Sequence, residues 1–471
     1  MARKPVILWL RRDLRLHDHP AMVAAAKDGA PVICVFIHDE IVAQTGAAAK
    51  WRWGEAIASF AARLEEIGSR LILRRGEALE VLQALVKETG AEAVHWSRAY
   101  DPASTARDKA VKTALKEEGI EAQSHKGHLM FEPWDVTTGK GEPYKVYTPY
   151  WNAVKGRGVE PPCDTVSALE PPQTWPESET LDDWQMGAAM RCGAAVLAQY
   201  ACIGEASAQG RMAAFLGQKI DGYKTARDQV DQNGTSNLSE NLTYGEISPR
   251  SLWHAGWSRM EAGSAGAETF LKELVWREFA WHLLYHFPKL DHANWREEWN
   301  GFEWRRDNNE AEDWRRGRTG EPFVDAAMRE MFVTGQMHNR ARMIVASYLT
   351  KHLLTDWRVG LRWFEDCLTD WDPASNAMGW QWVAGCGPDA SPYFRIFNPA
   401  TQAEKFDPKG SYRRKWIAEG AKNPPQTALH YFEAIPKSWE MTPDDRYPDP
   451  LVDLKAGREK ALAAYERHRN G

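Results

Sequence analysis

A parallel α/β domain followed by an all-helical domain is the fold class that three features of the sequence predict. Over the first third of the chain, short apolar runs rich in β-branched residues alternate with Ala- and Leu-rich stretches of helical spacing. A proline-dense, aperiodic stretch follows, and beyond about residue 205 the strand signals fade while helical spacing continues. The expected organisation is a Rossmann-like parallel α/β domain over 1–130, a long connector over 131–205 and a helical domain over 206–471.

Taken in order, Val6–Leu10, Val32–Ile37, Leu71–Leu73 and Ala93–Trp96 read as buried strands. Between them Ala21–Lys27, Trp51–Ile67 and Ala78–Glu88 carry apolar residues at helical spacing. Right-handed βαβ crossovers bring ligands to the carboxyl ends of such strands, so Arg11-Arg12-Asp13-Leu14-Arg15 is a candidate anion-binding edge, or else a solvated rim. No Gly-x-Gly-x-x-Gly follows the first strand and no Walker phosphate loop occurs, which argues against a standard dinucleotide site or a P-loop nucleotide hydrolase. Pro161, Pro162, Pro171, Pro172 and Pro176 mark the irregular part of the connector. Ala346, Leu349, Leu353 and Trp357 are spaced to share one helix face.

The 471 residues include 43% hydrophobic and 26% charged side chains, a soluble globular composition that excludes a disordered chain. The first apolar run ends after five residues at Arg11, too short for a signal peptide or a membrane span, so a cytoplasmic protein with no membrane partner is expected. Six cysteines with no Cys-x-x-Cys pair indicate neither a zinc site nor a disulfide framework. A net charge of −6 means that any nucleic acid would have to meet a local basic patch. Met337–Arg362, with five Arg/Lys against one acid, and Tyr393–Trp416 are the candidates, each also readable as a solvated helix face. Tryptophan is the outlier at 23 residues, suiting either stacking on planar ligands or a ring-packed core.

Asp370–Trp382 joins two carboxylates, an amide and closely spaced indoles in a bend entering a helix, a set able to hold a polar ring system or simply to pack. Glu278, His282 and His286 have metal-ligand spacing on a helix, but the Glu of a His-Glu-x-x-His motif is missing, and packing histidines with no metal are expected.

Together these segments resemble the photolyase/cryptochrome flavoprotein family over essentially the whole chain. The resemblance is carried by Trp9–Asp18, Gly141–Pro149, Glu273–Phe279, Met337–Arg342, Gly379–Trp382 and Phe394–Pro399, in the family's order and approximate spacing. It implies an N-terminal antenna domain and a C-terminal helical domain holding FAD. Tyr223, Thr235, Ser236, Leu238 and Ser239 would then hold the FAD phosphates and adjoining groups, with Arg277 as a further phosphate contact. Asn237 stands where many relatives have a basic residue. The resemblance also implies Asn376 at the flavin N5, Asp372 at the ring's polar edge, and Asp370 paired with Arg342. Trp380, Trp357 and Trp304 match the family's electron-relay positions.

On the substrate side, Trp276 and Trp382 resemble the indoles that embrace a flipped dinucleotide, with Met343 as an apolar wall. Glu273 and Asn339 would bond its pyrimidine edges, and Arg340 and Arg395 the flanking DNA phosphates. Glu273 with Asn339 matches the cyclobutane-dimer pattern; (6-4) relatives generally have His near 339 and plant cryptochromes commonly Asp. The resemblance thus implies light-driven repair of cyclobutane pyrimidine dimers in UV-damaged DNA by a monomer without an obligate protein partner. The alternative is a blue-light receptor, less expected in a chain closing at Gly471 without a long tail; a nucleotide-binding protein without photochemistry ranks last. Only Cys367 and Cys386 follow residue 205, which leaves no ligand set for an iron–sulfur cluster. For the antenna, methenyltetrahydrofolate is favoured over a deazaflavin, although Ser104 replaces the acid of a folate-binding relative.

Overall fold

The computed structural model describes residues 3–390 and 392–470; Gly471, the last residue of the expected helical domain, lies outside them. Five parallel strands, β1 (Val6–Leu10), β2 (Val32–His38), β3 (Leu71–Arg75), β4 (Ala93–Ser97) and β5 (Glu121–His125), form one sheet in the order β3-β2-β1-β4-β5. This is the start of the doubly wound order 3-2-1-4-5-6, with its switch point between β1 and β4. In the β1/β2 register Val6 faces Val32 and Leu10 faces Phe36. Both faces of β1 and β2 are buried, which is why these strands are unbroken apolar runs rather than alternating ones.

The apolar runs mark four strands; the fifth, Glu-Ala-Gln-Ser-His, is an edge strand with a single buried residue, so it carries no such run. The polar Pro102–Glu117 helix beside it is likewise absent from the expected elements, for the same lack of an apolar stripe. The stretch from 155 to 181 is irregular, as the prolines indicate, and touches the sheet domain through a Pro31–Glu170 bridge.

Beyond residue 205 the chain is helical, with Ala267–His286 as a central helix buried on most sides. The helical face expected over Ala346–Trp357 is corrected. The Asn339–Ser347 helix passes into a π-turn over Tyr348–His352, Leu354 adopts a left-handed conformation (φ 54°), and Asp356 caps a new helix, Trp357–Cys367. All four side chains are buried as expected, but Ala346 and Trp357 lie on separate helices, with Leu349 in the π-turn and Leu353 at its end. Among the described residues no helix is long and apolar enough to cross a membrane.

Of the arginines after β1, Arg12 and Arg15 join the two domains, whereas Arg11 stays within the sheet domain. Arg15 is buried and donates to the carbonyls of Asp18, Gly127 and Gly245 at 2.8–3.1 Å. Arg12 donates to Thr243 O at 3.0 Å, and Arg11 pairs with Asp108 at 2.6 Å. From the other side, Arg250 pairs with the buried Asp18, and Glu205 accepts from the Leu16 and His17 N–H groups, both at 2.9 Å. Arg52 of the Ala47–Glu66 helix bridges Glu240 and Glu246, both at 2.6 Å and all three buried. Buried charges of this kind require partners, and here they sit in the other domain.

Candidate active site

The helical domain encloses a cavity of about 1530 Å³, larger than the roughly 300–1,000 Å³ of an ordinary small-molecule pocket. Its wall gathers Tyr223, Thr235, Ser236, Leu238, Ser239, Glu273, Trp276, Arg277, Asn339, Arg340, Arg342, Met343, Asp370, Asp372, Asn376, Trp380 and Trp382. Residues up to 160 positions apart in the chain thus meet in one place. Arg395 does not join them; it is exposed on the loop after Tyr393.

Asp370 and Asp372 flank Trp371 at the entry to the Pro373–Ala384 helix. Asp372 caps that helix through Oδ1, which accepts Ser375 N at 2.7 Å, while Oδ2 accepts Trp281 Nε1 at 2.8 Å. Each oxygen keeps a second lone pair for another donor. Asp370 accepts Arg342 Nη2 at 2.9 and 2.7 Å and Ser239 Oγ at 2.8 Å. Asn376 donates Nδ2 to Asp372 O at 3.0 Å, one turn back, which fixes the orientation of its amide. Asn237, in left-handed backbone (φ 53°), accepts Thr235 Oγ1 at 2.7 Å and shapes the loop by its side chain instead of by a charge. Arg211 reaches the same loop, donating to Asn237 O at 2.7 Å.

This donor set fits FAD. Hydroxyls and the cation of Arg211 suit phosphate oxygens, and two carboxylates, one of them paired with Arg342, beside an amide suit the N–H and nitrogen edge of a flavin ring. Arg277, also in the cavity wall, has its guanidinium engaged by His128, donating to the carbonyl at 3.0 Å and meeting the ring at 3.1 Å, and it pairs with Glu278 at 3.2 Å. Burial pushes the Glu278 carboxyl up to about 7 against the opposing effect of Arg277.

On the opposite wall Glu273 is half-buried and pairs with Arg227. Burial raises its pKa, partly offset by the Arg227 charge and hydrogen bond. Trp276 is covered on one face by Tyr147, with ring centroids 3.6 Å apart and planes 6° apart. Asn339 is exposed at the start of the Asn339–Ser347 helix. Arg340 pairs with Asp228 at 2.7 Å and lies over Phe406.

The basic run Met337–Arg362 is largely neutralised: Arg342 by Asp370, Arg340 by Asp228, Arg358 by Asp356, while Lys351 is buried against the Ala384 carbonyl at 2.9 Å. In the second run Arg414 and Lys415 are exposed on the cavity wall. Trp380 stands in the cavity wall against Phe364 and Trp314, with centroids at 4.9 and 6.1 Å; Trp357 is fully buried with Nε1 on Asn294 Oδ1 at 2.9 Å. Trp304 is half-buried beside Phe302 and Trp299. His282 and His286 join the connector, His282 accepting Tyr144 N at 3.1 Å and His286 meeting Pro133 O at 3.0 Å.

A second, narrow cavity of about 60 Å³ lies at the carboxyl ends of β1, β2 and β4, the position the strand order assigns to a ligand. The guanidiniums of Arg11 and Arg107 lie 4.5 and 4.7 Å from the Trp9 ring centre, and Arg107 also pairs with Asp39. Trp281 contributes to this wall while bonding Asp372 in the other cavity. Trp281 and Arg227 escaped the sequence-based reading, because their partners lie elsewhere in the chain, and Glu278 entered it only for its spacing from two histidines.

Residues 6–170 match the family described as DNA photolyase, and 270–467 the FAD binding domain of DNA photolyase. A deoxyribodipyrimidine photo-lyase of Agrobacterium fabrum is 45% identical over 468 residues, 98% of this chain and 97% of the relative. Cryptochrome-2 of Arabidopsis thaliana is 33% identical over 492 residues, 99% of this chain and 79% of its own. A crystal structure of a bacterial class III photolyase from Agrobacterium tumefaciens superposes with a TM-score of 0.93 at 43% identity, covering 100% of this chain and 99% of that one.

Proposed function

The chain belongs to the photolyase/cryptochrome family, and from that premise we propose that it repairs cyclobutane pyrimidine dimers in DNA under light, as a deoxyribodipyrimidine photo-lyase. One observation carries the reading. Glu273, Asn339 and the indoles of Trp276 and Trp382 line the same cavity as Asp370, Asp372 and Asn376, so a lesion and a flavin would share one chamber.

FAD, which Ser239, Asp370, Asp372 and Asn376 would help to hold, would supply light-driven electron transfer to the dimer with no net redox change. The protein's own groups prepare that event. Trp276, Trp382 and Met343 offer apolar surface for an extruded dimer, whose lost pairing in the duplex makes extrusion cheaper than for an intact base. Glu273 in its protonated form donates a hydrogen bond to a pyrimidine carbonyl, and burial favours that form. For this it must leave Arg227, which is then available to a DNA phosphate. Asn339 offers both donor and acceptor to the same edge. Arg340, once free of Asp228, and the exposed Arg395 contact the flanking phosphates. Trp380 in the cavity wall, the buried Trp357 and the half-buried Trp304 would serve the flavin's reduction.

For light collection we favour methenyltetrahydrofolate over a deazaflavin; mass spectrometry of the extracted chromophore tests this. The reading is of a cytoplasmic monomer. The decisive experiment follows restoration of a thymine dimer in a short oligonucleotide by the reduced protein, in light and darkness, beside Glu273→Ala. Light-dependent restoration, weakened in the variant, is expected. No restoration with FAD bound and reduced would overturn the reading and leave a blue-light receptor, in line with the likeness to Cryptochrome-2.

A further inference from the structure

The closest face-to-face ring contact in the helical domain lies behind Trp276 and involves a residue of the connector. Tyr147 opens the Tyr147–Val154 helix and lies 3.6 Å from the indole with the planes 6° apart. Aromatic pairs prefer offset or edge-on arrangements, so a near-parallel pair at this distance reflects constraints on both rings. Those constraints are visible. The Tyr147 hydroxyl donates to Lys272 O at 2.8 Å, the carbonyl four residues before Trp276 on the same helix. The Tyr147 N–H donates to Asp389 Oδ2 at 3.2 Å, on the segment leading to Arg395. Phe279 presents its edge to both rings, with centroids at 5.9 Å. Tyr147 is buried and is not part of the cavity wall, whereas Trp276 is.

We propose that Tyr147 is a positioning residue for lesion recognition, a rigid backing that sets the plane of Trp276 before an extruded dimer stacks on it. This rests on the function proposed above. An indole held only by its own rotamer preferences would lose freedom on binding the lesion, and a preset plane removes that cost. The backing acts on the lesion complex and leaves duplex binding alone, because undamaged DNA does not put a base against Trp276.

The test compares the full-length, FAD-loaded protein with Tyr147→Phe, Tyr147→Leu and Tyr147→Met. Dissociation constants are measured in the dark for an oligonucleotide containing a thymine dimer and for its undamaged twin. Tyr147→Phe keeps the ring but loses the bond to Lys272 O, and should weaken lesion binding less than either aliphatic variant, with undamaged binding unchanged. Tyr147→Leu and Tyr147→Met should weaken lesion binding about tenfold, with undamaged binding unchanged. In a Trp276→Leu background the same substitutions should change lesion affinity by less than about twofold, since residues acting as a unit are not additive. Equal weakening for both DNAs, an unchanged lesion affinity, additivity with Trp276→Leu, or failure of both aliphatic variants to fold would overturn the inference and leave Tyr147 a packing residue. If the wild type itself shows no preference for the lesion, the proposed function fails and this inference with it.

Discussion

Replacing Arg52 by Met removes a guanidinium that two carboxylates of the other domain require, while keeping an apolar stem in its place. In the wild type Arg52 Nε meets Glu240 at 2.6 Å, Nη2 meets Glu246 at 2.6 Å and Cys202 O at 3.0 Å, and the group lies 4.7 Å from the Tyr244 ring centre. After the substitution Glu240 keeps Gln336 and a 3.7 Å approach of Arg211, and Glu246 keeps Asn241 and the Gly204 N–H. Those contacts provide hydrogen bonds but little compensating charge. Removing one partner of a buried ion pair costs roughly 3–5 kcal/mol, because the remaining charge stays desolvated. Equilibrium urea unfolding should show this as a lower midpoint at unchanged slope. The pH dependence supplies the sign. Burial already raises the Glu240 pKa against the pull of Arg52, and without Arg52 it rises further above the unfolded value of about 4.3. The folded variant then binds more protons than its unfolded state, so its deficit is small near pH 4 and widens as pH rises toward 7. Arg52→Met/Glu240→Gln/Glu246→Gln should recover most of the loss. A deficit below about 1 kcal/mol at pH 7, or one that does not grow with pH, would refute this account of the joint.

Two further outcomes are expected. Glu278, with its pKa pushed up to about 7 by burial, makes the wild type lose stability as pH rises from about 4.3 through 7; Glu278→Gln should remove that decline in urea titrations at a series of pH values, and an unchanged slope would assign it to other groups. A Cβ at Gly360 would overlap the six-membered ring of Trp380, so Gly360→Ala should cost roughly 1–3 kcal/mol and slow light-driven flavin reduction; retention of both properties would show that Trp380 is free to shift.

What the sequence makes legible follows from how local each signal is. The four buried strands are contiguous apolar runs, and the structure extends each by at most two residues. β5 and the helix before it are polar because they lie at the sheet's edge, where burial no longer selects the residues. The break at Leu354 leaves the apolar spacing of Ala346–Trp357 intact, since a π-turn and a fresh N-cap preserve which residues are buried. Most of the candidate site residues do line one cavity, because their motifs resemble a known family. The fates of their charges were not legible. Arg277 faces His128, Arg340 faces Asp228 and Glu273 faces Arg227 across tens to well over a hundred residues of chain, and no spacing rule reports such partners.

The arginine-rich segment after β1 has a consequence for engineering this chain by modules. A cut near residue 130 would look natural, between a sheet and a set of helices, yet it would separate Asp18 from Arg250, Glu205 from the backbone at 16–17, and Arg52 from Glu240 and Glu246. Neither fragment could hydrate these groups without unpacking its face. A graft of either half onto a relative should therefore carry positions 11–18, 52, 205, 240, 246 and 250 as one inherited set. Homologous exchange would then be governed by that seam more than by the cofactor pockets on either side of it.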